Sequence, residues 1–265
     1  TTIQQHVDER AARQPEATYL IAPETGAAMT YRELQRASCE LAGFLHARGL
    51  AKGDKVALML ANGYQTARLL IGVMYGGYTV APLNLLSQRS QLAYVLEHSD
   101  AKLVFTSSDL EPRLREAMQG LARAIEVMVV DPDAVSIIAD EVAVEAFEPT
   151  ALIPNDDALL MYTSGTTGAP KGVLHTHASV IAGGMYTSDA HRLAASDRVM
   201  CSLPLYHING QIVTTVAPLV HGGSVVIPHR FSVTNYWETV ARHGCTWINV
   251  VPTIIAYLLN APGPR

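Results

Sequence analysis

The run Tyr162-Thr163-Ser164-Gly165-Thr166-Thr167-Gly168-Ala169-Pro170-Lys171-Gly172 concentrates the residue types that bind phosphate. Glycines at 165, 168 and 172 let the backbone bend through positive φ and bring N–H groups close to an anion. The hydroxyls of Thr163, Ser164, Thr166 and Thr167 add neutral donors, and Lys171 adds a point charge. The run follows the apolar stretch Ala158-Leu159-Leu160-Met161, which reads as a buried strand ending in this loop. A polyphosphate is the ligand this chemistry fits best. The pattern is not a Walker A loop, which needs Gly-Lys followed directly by Ser or Thr; here Pro170 precedes Lys171 and Gly172 follows it.

Ligands of a doubly wound sheet sit beyond the carboxyl ends of its strands, so other strand ends should converge on the loop. One is Ser202-Leu203-Pro204-Leu205-Tyr206-His207-Ile208-Asn209-Gly210, where an aromatic and an imidazole stand between a strand and an apolar helix. On the residues alone, His207 reads first as a core histidine bonded to a carbonyl. A second is Val250-Val251-Pro252-Thr253. His175, His177, His191, His207, His221 and His229 make the second half histidine-rich, but no cysteine stands at ligand spacing and no His-Glu-x-x-His occurs, which argues against a zinc site.

The eleven-residue loop resembles, position for position, the signature loop of the adenylate-forming superfamily, which includes acyl-CoA synthetases, aryl-CoA ligases, luciferases and the adenylation domains of peptide synthetases. The Pro204 to His207 segment resembles that superfamily's Pro-Leu-aromatic-His motif, and Val251 to Thr253 its Val-Pro-Thr segment. The resemblance implies an acyl-CoA synthetase of the fatty-acid or aryl-acid type, in which a carboxylate attacks the α-phosphorus of ATP and the acyl group passes to coenzyme A, with Mg²⁺ neutralising charge. By the same resemblance Thr163, Ser164, Gly165, Thr166, Thr167, Gly168 and Lys171 hold the β and γ phosphates. Lys171 and His207 become the catalytic candidates, His207 lying between acid and nucleotide, and His207, Asn209, Gly210, Gln211 and Thr253 line the acid site. Members that load amino acids carry an Asp in this region, whereas Ile208-Asn209-Gly210-Gln211 offers no carboxylate, so a plain small-molecule carboxylic acid is the expected partner. Two other readings stay open: a non-catalytic nucleotide- or phosphate-binding module, and an adenylation domain that loads a carrier protein.

Past the position of Arg265 the superfamily carries a Tyr-Gly-x-Thr-Glu segment, a ribose-binding Asp and a small carboxy-terminal domain, and none of these occurs in the chain. The expectation is therefore an amino-terminal part without full turnover. The segment Thr253 to Leu259 is apolar on nearly every side, so it is expected either to self-associate or to be held loosely.

The bulk properties agree with a soluble enzyme-sized unit. The 265 residues are 49% hydrophobic, enough for a large core, and 19 Lys+Arg against 24 Asp+Glu give a formal charge of -5 with no basic cluster, so no nucleic-acid partner is expected. Three scattered cysteines, Cys39, Cys201 and Cys245, suit a reducing compartment; no run approaches a membrane span, and a cytoplasmic protein is expected.

Along the chain, capping boxes at Thr2/Gln5 and Thr30/Glu33 open the first two helices, and Gly49 closes the second. Strand and helix patterns then alternate at Lys55–Leu60, Tyr64–Tyr75, Tyr78–Pro82, Gln88–Glu97, Leu103–Thr106, Leu110–Met118 and Val127–Val130. The acidic, proline-containing stretch from Asp131 to Asp157 reads as the lobe boundary. After the loop come a helix from Ser179, a strand at Arg198–Leu203, an apolar helix at Ile208–Val220, a strand at Ser224–Ile227, a helix capped by Ser232, a strand at Trp247–Val251 and a helix at Thr253–Leu259. The predicted class is α/β, with doubly wound, mostly parallel sheets in two lobes, 1–150 and 151–265.

Overall fold

The computed structural model describes residues 1–136, 147–163 and 170–261. Helix α1 (Ile3–Arg13) opens on the expected reciprocal cap, with Thr2 and Gln5 each bonding the other's backbone N–H, and buries Ile3, Val7 and Ala11. Helix α2 (Tyr31–Ala47) does the same with Thr30 and Glu33, and Gly49, at φ 80°, takes the left-handed turn that ends it. Strands β1 (Thr18–Ile21) and β2 (Ala28–Thr30) lie between them.

The alternation then runs β3 (Lys55–Met59), α3 (Tyr64–Tyr75), β4 (Thr79–Pro82), α4 (Arg89–His98), β5 (Ala101–Thr106), α5 (Glu111–Met118) and β6 (Glu126–Val129). Every residue of α3 is buried, the polar Gln65 and Thr66 and the charged Arg68 included. The second half comprises β7 (Asp157–Thr163), β8 (Lys171–Thr176), α6 (His177–His191), β9 (Arg198–Cys201), a π-helical segment (Asn209–Val216) continuing as α7 (Ala217–His221), β10 (Ser224–Val226), α8 (Tyr236–Arg242), β11 (Trp247–Asn249) and α9 (Pro252–Asn260).

The strands form a six-stranded sheet in the order β6-β5-β3-β4-β7-β8 and a five-stranded sheet in the order β11-β9-β10-β1-β2. All neighbours are parallel except the pairs β7/β8 and β1/β2, so the expected α/β class with mostly parallel sheets holds. The sheets do not divide the chain at residue 150. Strand β1 pairs with β10, and β4 pairs with β7, so each half of the sequence lends strands to the other half's sheet. An apolar strand buried on both faces carries no mark of its neighbour, which is why the pattern alone cannot assign it to a sheet.

Three local expectations are corrected. Ser232 does not cap α8: the helix starts at Tyr236, and the Ser232 Oγ accepts from Asn235 N (3.4 Å), closing a turn before it. The apolar helix after His207 is π-helical in its first eight residues, where the hydroxyls of Thr214 and Thr215 bond back to the carbonyls of Gly210 and Gln211 and compete for the ordinary helical acceptors. Strand β8, read as loop from the sequence, is an edge strand with Val173 and Leu174 exposed.

Candidate active site

The phosphate-type run begins on one strand of a hairpin stem and ends on the other. Strands β7 and β8 pair antiparallel from Asp157/Thr176 outward to Thr163/Lys171, which face each other in register at its mouth. Ser164, Gly165, Thr166, Thr167 and Gly168 lie outside the described residues. Lys171 is exposed and has no ionic or hydrogen-bond partner among the described residues, which leaves its ammonium free to meet an anion at the mouth.

The stem is tied to the rest of the fold at two points. Tyr162 Oη lies 2.8 Å from His98 Nδ1 at the end of α4, and the His98 ring stacks on Tyr94. Burial pushes the Tyr162 phenol up to about 12, so the hydroxyl keeps its proton. At its other end β8 runs into α6 through His177, which is fully buried. His177 Nδ1 accepts from Ile3 N (3.3 Å) and its backbone N–H bonds Asp156 O (3.0 Å). Burial holds this imidazole down at about 4, against a smaller opposing pull from Asp156, so it is neutral.

A cavity of about 120 Å³ opens beside the stem, lined by Asn84, Ser87 and Gln91 from β4 to α4, by Tyr162 and Thr163, and by Tyr206 from the other sheet's loop. The rest of its wall is apolar, from Pro82, Leu83, Leu86, Leu92, Val95 and Pro170. Tyr206 shares this cavity with Tyr162, Thr163 and Pro170, and its ring lies 4.8 Å from that of His207, so the structure brings the His207 segment to the mouth of the hairpin. His207 is exposed, its backbone N–H closes a turn onto Pro204 O (3.0 Å), and partial desolvation keeps its imidazole below the ordinary histidine range.

The remaining candidates divide. Asn209 Oδ1 accepts from Asn249 Nδ2 (2.8 Å), placing two amides in the seam between the π-helical segment and the end of β11. Gly210 is a packing glycine: a Cβ there would stand 2.4 Å from Pro204 O. Gln211 is 1% exposed, and its amide nitrogen bonds Leu205 O while its Oε1 has no partner. Thr253 sits exposed in the first turn of α9. Asn62, Asn84 and Asn249 were not singled out by sequence reasoning; a lone asparagine at a strand end carries no signal until its partner is known.

A larger cleft of about 500 Å³ lies at the carboxyl ends of β1, β9 and β10, over a floor where Ser202 Oγ bonds Tyr236 Oη (3.2 Å). None of the sequence-predicted site residues lines it, and its rim mixes Glu24 and Glu238 with Arg230 and Arg242. Of the phosphate-type residues among those described, Thr163 lines the smaller cavity. Among the described residues no group of three or more His, Cys, Asp or Glu could hold a metal ion, and no helix is long and apolar enough to cross a membrane.

The chain belongs to the AMP-binding enzyme family, whose model matches residues 7–265. It is 52% identical over 254 residues to sulfoacetate–CoA ligase of Cupriavidus necator, covering 96% of this chain and 50% of that one. It is 29% identical over 262 residues to the long-chain-fatty-acid–CoA ligase FadD13 of Mycobacterium tuberculosis, again 96% of this chain and 50% of the relative. Among solved structures, ATP-bound MatB from Rhodopseudomonas palustris superposes with a TM-score of 0.85 at 25% identity, over 99% of this chain and 52% of that one. The chain therefore spans about half the length of the relatives it matches.

Proposed function

We propose that this chain supplies the phosphate- and acid-binding half of an AMP-forming carboxylate–CoA ligase acting on a short acid with a second anionic group, of the sulfoacetate kind. The observation that carries the reading is the 52% identity to a sulfoacetate–CoA ligase across 96% of the chain. The long-chain relative stands at 29% over the same span, which favours the short acid. The hairpin tip would cradle the β and γ phosphates of ATP through backbone N–H groups and the hydroxyls of Thr163, Ser164, Thr166 and Thr167, with Lys171 offsetting the charge that builds on pyrophosphate. Mg²⁺ would travel with those phosphates.

The substrate carboxylate oxygen bonds the α-phosphorus and pyrophosphate leaves. The coenzyme A thiolate then bonds the acyl carbon and AMP leaves. His207, at the turn beside the stem, would stand on the acid side. Catalysis in the first step is positioning and charge neutralisation, which a donor-rich hairpin provides without a covalent enzyme intermediate.

The test is acid-dependent exchange of labelled pyrophosphate into ATP by the full-length protein. Exchange with sulfoacetate and little with a long-chain fatty acid is the expected result. Preference for the long-chain acid would overturn the substrate class, and no exchange with any carboxylic acid would overturn the ligase.

A further inference from the structure

We propose that Asn62 is a positioning residue that fixes the His207 turn against the sheet carrying the phosphate hairpin. The residues from Ser202 to His207 belong to neither strand nor helix, and Leu203 and Leu205 are buried, so their backbone groups need partners that regular structure does not supply. Asn62, 7% exposed in the connection from β3 to α3, supplies two. Its Nδ2 donates to Leu203 O at 2.9 Å, and its Oδ1 accepts from Leu205 N at 2.8 Å. The two contacts require opposite ends of one amide, so they also fix which way that amide faces.

The turn is held from its far side as well. Gln211 Nε2 donates to Leu205 O, so both backbone groups of Leu205 end on side-chain amides. His207 N–H closes onto Pro204 O, and Gly210 packs directly under that same carbonyl. Little slack remains around the four residues that lead to His207.

What the clamp joins matters most. Asn62 leaves the end of β3, in the six-stranded sheet that also holds β7 and β8, whereas Leu203 and Leu205 follow β9 of the other sheet. The amide thus sets the placement of the acid-side histidine relative to the hairpin that would hold the nucleotide. Misplacement of a reacting group by about 1 Å can cost about 100-fold in rate, so a residue that touches neither substrate can govern their alignment.

This inference rests on the proposed function for its catalytic consequence, while the clamp itself can be tested apart from it. In the full-length protein, Asn62→Ala removes both contacts. Asn62→Asp keeps the acceptor for Leu205 N–H but sets a carboxyl oxygen against Leu203 O, and serves where the alanine variant does not fold. Thr106→Val is the control: it deletes a comparably buried bond to Met59 O (3.1 Å) in the same sheet, away from the turn.

Amide hydrogen exchange of the 203–207 peptide should quicken by about 10-fold or more in either Asn62 variant, with α3 unchanged and no change in that peptide in Thr106→Val. Pyrophosphate exchange should show kcat/KM for the acid falling about 10- to 100-fold while KM for ATP stays within about 3-fold. Unchanged protection of 203–207 overturns the clamp. Equal losses for acid and ATP, or losses matched by Thr106→Val, reduce Asn62 to a stability residue and overturn the positioning role. If the wild type exchanges pyrophosphate with no acid, the ligase reading fails, and the hydrogen-exchange arm still decides the clamp.

Discussion

The hairpin tip and the His207 turn are built on opposite principles. The outer end of the two-stranded stem presents Lys171 with no side-chain partner among the described residues, whereas the turn is tied by Asn62, Gln211 and the close approach of Gly210. A loop that must wrap a flexible polyphosphate gains from donors that are uncommitted beforehand. Under the proposed function, a turn that holds one acid in one orientation gains from being fixed in advance. Mutations should therefore separate chemistry from folding at the tip and fail to separate them at the turn.

Lys171→Ala is the sharpest way to test the first half of that contrast. Adenylation should slow by ~10- to 1000-fold, because the lost charge acts only on developing phosphate charge, while the urea midpoint stays nearly unchanged. A variant that unfolds, or one that adenylates normally, would break the contrast at the tip.

Gly210→Ala attacks the turn. A Cβ 2.4 Å from Pro204 O forces the π-helical segment or the turn to move, and backbone on both sides gives way poorly. We expect a loss of about 1–3 kcal/mol in denaturant unfolding together with impaired acid activation. Normal stability with normal activity would show that the turn is not tight.

The root of the hairpin gives a pH-dependent version of the same test. His177 sits neutral in the folded protein with its pKa held at about 4, while the unfolded chain binds a proton near 6.5. Stability tied to this residue is fully present above the unfolded value and is lost as pH falls toward the folded one. Between pH 7 and pH 5 the loss should be about 2 kcal/mol, measurable by urea unfolding and abolished in His177→Gln. An identical pH slope in the two proteins would contradict it.

The smallest effect is expected for His207→Ala. The apparent KM for the acid should rise, with ATP affinity changing by less than about 1 kcal/mol, since groups that share no partner act independently. A loss of ATP affinity as large as that of Lys171→Ala would move His207 to the phosphate side.

The sequence disclosed those parts of the molecule whose causes are local. The two capping boxes and helix α3 depend on residues a few positions apart, and each is found where its pattern places it. The edge strands β2 and β8 were hidden because they are short or largely exposed and therefore lack the apolar alternation that marks a strand. The π-helical geometry was hidden because π and α turns share nearly the same apolar spacing. Asn62 was hidden for a different reason: its partners stand 141 and 143 residues away, and a lone asparagine before a helix suggests only a turn.

The exchange of strands between the two sheets also bears on how this polypeptide is made. Strand β1 pairs Leu20 with Val225, and Arg10 bonds Leu219 O 209 residues downstream. The first thirty residues thus emerge from the ribosome long before their partners, and at roughly 5–20 residues per second they wait on the order of ten seconds or more. During that interval Tyr19, Leu20 and Met29, all buried in the finished protein, have no sheet to enter. The nascent chain is exposed to aggregation at this segment until β10 is synthesised, and chaperone occupancy should be concentrated there.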